Sequence, residues 1–165
     1  MLIVVADTSP LRYLVQIDQI QLLPRLFEKI LIPSVVSDEL RHPSAPEAVR
    51  NWITSRPEWL EVSVVSASND PSLRALDDGE KSAIALGLSV SADLLLIDDR
   101  RGAAVAREKG FEVTGTLGIL DLGARRGMVD LAEALARLRT TNFRRREGLF
   151  DALLGQHKQG RTLKD

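Results

Sequence analysis

The chain predicts an α/β fold, a single-domain open parallel sheet with helices on both faces and a helical C-terminal part. Three observations carry this. Short uninterrupted apolar runs, Leu2-Ile3-Val4-Val5-Ala6 and Leu94-Leu95-Leu96-Ile97, read as strands buried on both faces, the kind that parallel sheets contain, and Lys29-Ile30-Leu31-Ile32-Pro33 reads as another short strand closed by proline. Segments with helical spacing separate them, and strands alternating with helices at this interval build parallel α/β units. At 165 residues the chain has the size of one domain, with no room for a second independent core.

The first strand ends at Asp7. Thr8 and Ser9 supply hydroxyl caps and Pro10 suits a first helical position, so a helix runs through Leu11, Leu14 and Val15. A second helical piece covers residues 21–27 and starts near Pro24. Pro33 closes the second strand, and Ser34 is placed to cap a helix that carries Val35, Val36, Glu39 and Leu40 and stops at His42-Pro43. Residues 45–55 form another helix, residues 60–65 a strand, and the polar residues 66–71 a long surface connection. A helix over 79–90 leads through Asp93 to the strand of 94–97, which finishes on Asp98-Asp99. An amphipathic helix over 101–109 stops at Gly110, a brief strand follows at 111–114, and a helix from Thr116 stops at Gly127. Helices near 131–138 and 148–154 precede a polar tail. The expected organisation is a core of residues 1–127, helices of 128–155 packed on the same domain, and a tail of 156–165.

Residues 1–99 carry 15 acids against 8 Lys or Arg, a net of −7, whereas residues 100–165 carry 8 against 14, a net of +6. Such a split suits one region that gathers cations and another that meets an anion. Arginine outnumbers lysine 17 to 5, which favours planar, bidentate contacts to phosphate or carboxylate. The absence of cysteine excludes disulfides, thiolate metal sites and a cysteine nucleophile. No apolar run is long enough for a membrane span and no basic segment precedes the first strand, so a cytoplasmic protein is expected.

In open parallel sheets ligands bind outside the carboxyl ends of the strands, and Asp7 and Asp98 both occupy that edge. If a helix begins near Gly79, positions 80, 83, 84, 87 and 88 share a stripe of Glu, Ala, Ile, Gly and Leu, so Glu80 faces inward. Two roles suit it: partner of Asp77 in a capping box, or member of a cleft. Glu39, on the helix after the second strand, is a fourth acid with reason to converge. Four such charges stay ionised together only with a compensating cation. Oxygen donors without His or Cys select a hard ion, Mg²⁺ or Mn²⁺, and a metal-dependent phosphoryl-transfer site follows.

The motifs Val5-Ala6-Asp7-Thr8-Ser9-Pro10-Leu11, Pro33-Ser34-Val35-Val36-Ser37-Asp38-Glu39-Leu40, Asp77-Asp78-Gly79-Glu80-Lys81-Ser82-Ala83-Ile84-Ala85-Leu86 and Leu95-Leu96-Ile97-Asp98-Asp99-Arg100-Arg101-Gly102, followed by Val113-Thr114-Gly115-Thr116-Leu117-Gly118, occur in that order. This ordered set resembles the PIN domain of metal-dependent ribonucleases, in particular the toxin-like branch related to VapC, over residues 1–127. The resemblance implies an endonuclease acting on single-stranded or structured RNA with Mg²⁺ or Mn²⁺, often homodimeric and often held inactive by a small antitoxin. Carried over, the acidic site falls on Asp7, Glu39, Glu80 and Asp98, with Asp99 an extra or alternative ligand. Asp7 and Asp98 are expected as direct metal ligands, with Glu39 and Glu80 acting through water or orienting the nucleophile. Neighbouring residues at a strand end point opposite ways, so Asp98 is expected in the site and Asp99 as a cap of the next helix. Thr8, Ser9 and Thr116 suit either contact with a metal-held water or phosphate, or a turn or cap role. Arg100 and Arg101, beside the acidic edge, suit the positioning of RNA.

His42 and His157 lack the second nearby ligand that a transition-metal site needs, and Ser9 and Ser34 lack a histidine partner for a hydrolase triad. Trp52 and Trp59 flank Pro57 and are expected to be buried or to form a partner surface. The run Arg144-Arg145-Arg146, with Arg137 and Arg139 before it, is the candidate for phosphate contacts. Rival readings are a PIN-like module that binds RNA or protein without catalysis, and a receiver-like phosphoacceptor. The latter needs a lysine at a later strand end, which Val113-Thr114-Gly115-Thr116 does not supply.

Overall fold

The apolar run after Leu2 forms β1 (Val4–Ala6), the central strand of a sheet completed by β2 (Ile30–Pro33), β3 (Leu60–Ser63), β4 (Leu94–Leu96) and β5 (Val113–Thr114). This is a computed structural model, which describes residues 2–145 and 148–164. The strand order is β3-β2-β1-β4-β5 and every pairing is parallel, Val5 standing opposite Leu31 on one side and Leu95 on the other. The helices in chain order are α1 (Thr8–Gln16), α2 (Leu22–Phe27), α3 (Ser34–Arg41), α4 (Glu47–Thr54), α5 (Asp78–Val90), α6 (Arg100–Glu108), α7 (Thr116–Arg125), α8 (Leu131–Arg139) and α9 (Leu149–Lys164).

The two-residue period of the strands divides the core into two layers. Val4, Ala6, Ile30, Ile32 and Leu96 meet α1 to α4, α7 and α8 through residues such as Leu11, Leu23, Val36, Ile53, Ile119 and Leu135. Val5, Leu95 and Ile97 meet α5 and α6 through Ala83, Ile84, Leu86 and Ala106. Both faces of the sheet are therefore covered, as the uninterrupted apolar strands require. The chain moves outward from β1 through β2 to β3, then returns to lay β4 on the other side of β1. The β1/β4 junction is the switch point of the sheet, where a crevice forms beyond the strand ends.

Five local expectations are corrected. The second helix begins at Leu22, because Pro24 falls in its first turn, where backbone N–H groups lack helical partners anyway. Ser34 is the first helical residue and makes no side-chain cap. β3 stops at Ser63, paired with Pro33, where its only neighbour ends; Val64 beyond it is 90% exposed. Leu88 is exposed while Leu86 is buried, since the buried stripe of α5 centres on Ala83 and extends toward Gly79. At the C-terminus α9 continues to Lys164, past the expected helix end and through most of the expected tail. No described helix is long and apolar enough to cross a membrane.

Candidate functional site

Asp7 follows β1 directly, donates its backbone N–H to Leu96 O of β4 at 2.9 Å and stands at the N-cap of α1. It is 5% exposed, and its Oδ1 is buried without a hydrogen-bond partner among the described residues. Burial, followed by the charges of Asp77, Glu80 and Glu39 and opposed by the Thr8 amide, pushes its carboxyl well above the ordinary aspartate range.

Glu39 reaches the same point from α3. A methyl group on Gly79 would lie 2.8 Å from Glu39 Oε2 and 2.9 Å from Asp7 Oδ1, so both carboxylates press on the bare first turn of α5. Glycine leaves that space. The Thr8 hydroxyl donates to Glu39 Oε2. Burial raises the Glu39 carboxyl; the Thr8 and Gly79 hydrogen bonds work against it, and the charges of Asp77 and Asp78 add to it.

Glu80 performs both roles that its position allows. It completes a capping box with Asp77, its N–H donating to Asp77 Oδ1 at 2.8 Å while its Oε2 accepts from Asp77 N at 3.4 Å. It is also 8% exposed and packs against Gly102 in the first turn of α6. Burial first, then the charges of Asp77 and Asp99, push its carboxyl up to about 7.

Asp98 follows β4 by one residue and is buried, while Asp99 is exposed and caps α6 by accepting from Gly102 N at 2.8 Å. Asp98, however, is turned toward α7. Its Oδ1 accepts from Thr116 N and its Oδ2 from Thr116 Oγ1, both at 2.7 Å. Arg145 donates to Asp98 O at 2.7 Å and approaches Oδ1 at 3.4 Å. Burial raises the Asp98 carboxyl; Thr116 and then Arg145 oppose the rise.

The four acids thus share one edge without closing on one point. Asp7, Glu39 and Glu80 act on one another together with Asp77, whereas Thr116 and Arg145 act on Asp98. Among the described residues no three acidic or imidazole side chains meet closely enough to hold a metal ion as placed. The donor set still suits a hard cation, because it is all oxygen and leaves Asp7 Oδ1 buried and unpaired beside Glu39.

Thr8 and Thr116 hold Glu39 and Asp98, and Thr116 is fully buried, so as placed their hydroxyls orient carboxylates rather than face a substrate. Ser9 stands half-buried in the first turn of α1, and Arg100 is exposed at the start of α6. Cavities flank the acids on both sides. One of about 310 Å³ is lined by Thr8, Arg12, Glu39 and His42, and one of about 240 Å³ by Asp98, Arg100, Arg107 and Arg145. Arg12, Arg107 and the electrostatic part of Asp77 were not legible in the sequence; for Asp77 the signal was its place three residues before Glu80. Arg137 and Arg139 are engaged by Glu133 and Asp151, Arg144 is exposed, and Arg146 lies outside the described residues. His42 pairs with Ser44 at 2.7 Å, and the rings of the half-buried Trp52 and Trp59 meet at 5.9 Å, tilted to each other, against the core.

A family model described as DUF3368: PIN domain matches residues 3–159. No curated protein and no solved structure gives a significant match.

Proposed function

The chain belongs to the PIN-domain family, and from that premise we propose that it is a Mg²⁺- or Mn²⁺-dependent endoribonuclease acting at the carboxylate edge. The observation that carries the proposal is the buried, unpaired Asp7 Oδ1 set beside Glu39 against Gly79. Asp7 Oδ1, buried beside the Glu39 carboxylate at the switch point of the sheet, is an acceptor that a bound cation would satisfy.

In this reading Asp7, Glu39, Glu80 and Asp98 would hold the ion, with Asp99 adding charge at the Glu80 side. When bound, the cation supplies Lewis acidity toward the scissile phosphate and the attacking water. Thr8 and Thr116 fix the carboxylates of Glu39 and Asp98 by hydrogen bonds. Glu80, whose carboxyl burial and the charges of Asp77 and Asp99 push up to about 7 in the metal-free chain, would hold the ion through water or orient the attacking water. Ser9 and Arg100 contact the RNA. Because its motifs resemble those of the toxin branch related to VapC, we further propose that the chain acts as a toxin in the cytoplasm, with a small antitoxin and a second copy of itself as protein partners.

One observation favours a second reading, a catalytically weak module that binds RNA or protein: both Asp98 oxygens are already taken by Thr116 and Arg145. The test compares wild type, Asp7→Asn and Asp98→Asn on mixed single-stranded and hairpin RNAs, with Mg²⁺ or Mn²⁺ and with EDTA. Wild type is expected to cleave only with the metal, and both variants to lose cleavage. Activity that survives EDTA, or equal cleavage by all three proteins, sinks the metal-carboxylate mechanism. RNA binding without cleavage supports the second reading.

A further inference from the structure

We propose that the cavity beside Asp98 is a phosphate subsite, which holds the RNA backbone one nucleotide away from the bond that is cut. The proposal rests on the ribonuclease reading above and assigns to that site a direction in which its substrate must extend.

Arginines that are far apart in sequence meet here. Arg100 and Arg107 lie seven residues apart on α6, two turns along one face, and Arg145 arrives from the segment between α8 and α9. Together they line a cavity of about 240 Å³ with Asp98, Gly115 and Gly118. Both glycines are required by close approach: a Cβ on Gly115 would collide with Asp98 Oδ1, and one on Gly118 with Thr114 Oγ1. A ligand in the cavity meets the arginines that line it beside Asp98.

Charge decides the kind of ligand. Three arginines and one carboxylate line the cavity, and that carboxylate already accepts two hydrogen bonds from Thr116 and pairs with Arg145 at 3.4 Å. Among the described residues Arg100 makes no hydrogen bond or ion pair, and Arg107 makes only a long contact of 3.5 Å to Val113 O. Arg125, Arg137 and Arg139, by contrast, are spoken for by Asp121, Glu133 and Asp151. Arg145 is held in place by stacking on Phe143, 4.6 Å from the ring centroid. With Arg145 paired to Asp98, the donors of Arg100 and Arg107 are left to match the oxygens of a phosphodiester. Because Asp98 lines the same cavity, the phosphate it holds is next to the reacting one. A chain with no nucleotide on this side of the cut lacks that contact.

The experiment measures binding rather than cleavage. A fluorescent single-stranded RNA is titrated in EDTA at a series of low salt concentrations with wild type, Arg100→Ala/Arg107→Ala, and Arg56→Ala, whose arginine precedes β3 at the opposite edge of the sheet. The double variant is expected to bind about tenfold more weakly, with the slope of log affinity against log salt reduced by about 0.7, the loss of one phosphate contact on a single strand. Arg56→Ala should match wild type. Arg107→Ala alone, on an exposed position of α6, serves as a second variant if the double one melts early. An unchanged slope, or an equal loss in Arg56→Ala, overturns the subsite and leaves the ribonuclease reading intact if wild type still cleaves. A wild type that binds no RNA in EDTA overturns the subsite, and one that also fails to cleave with Mg²⁺ or Mn²⁺ overturns both.

Discussion

Glu80 joins two demands that pull against each other. As the third residue of its helix it stabilises the start of α5, and as a buried acid among Asp77, Asp99 and Asp7 it destabilises the charged form of the same carboxyl. Its carboxyl is raised from the ordinary 4.5 to about 7, so between those values the folded chain holds more protons than the unfolded one. Stability from this source is complete below pH 4.5 and is lost as pH rises toward 7. Asp7 and Asp98, also raised, act in the same direction. The urea midpoint of the metal-free protein is therefore expected to fall across this range, and Glu80→Gln to flatten part of the fall. Above pH 7, added Mg²⁺ should raise the wild-type midpoint by mass action, and should do so less in Glu80→Gln. In cleavage the same substitution should cost far more than it costs in folding, since glutamine keeps the cap and loses the charge. A midpoint independent of pH, or full cleavage by the glutamine variant, contradicts this account. At this scale much was legible: the two-residue period of a strand separated Asp98, buried, from Asp99, a cap. That Thr116 and Arg145 take hold of Asp98 was not, because α7 and the segment after α8 lie far along the chain.

At the scale of the element, the first turn of α5 is built around what it lacks. Alanine is the better helix former at Gly79 by about 1 kcal/mol, yet its methyl would meet the carboxylate ends of Glu39 and Asp7. Those ends are flexible, so the fold can yield where the site cannot. Gly79→Ala is expected to leave the urea midpoint within about 1 kcal/mol of wild type and to reduce metal-dependent cleavage on the order of 100-fold, the cost of a misplacement of about 1 Å. A variant that unfolds, or one that cleaves normally, refutes that division. The elements themselves were readable wherever pattern and neighbour agreed, as in the continuous apolar strands and the Asp77-Glu80 cap. They were misread where a neighbour decided the outcome. The length of β3 depends on where β2 ends, and the side on which Leu88 falls depends on which layer α5 meets.

For the whole molecule, the C-terminal part is expected to unfold together with the sheet. Phe143, 8% exposed, packs edge-on to Tyr13 of α1 at 5.0 Å and carries Arg145 over its ring. Phe143→Ala should cost about 3–5 kcal/mol in a single urea transition, as for a buried aromatic. Two separated transitions in wild type would show that residues 128–155 form a unit of their own. The same anchor fixes where Arg145 points, so the packing of one aromatic side chain and the charge beside Asp98 are linked.

What the sequence determined by itself follows from local rules: the order of strands and helices, both faces of the sheet buried, and acids at the ends of β1 and β4, because side-chain periodicity and cap chemistry act over a few residues. Tertiary structure decided how those acids are shared out, with Asp7, Glu39 and Glu80 crowded against Gly79 and Asp98 drawn aside by Thr116 and Arg145. It also brought Arg100, Arg107 and Arg145 to one cavity. Convergence of this kind depends on how helices close over the strand ends, a relation between residues tens of positions apart that no local pattern encodes.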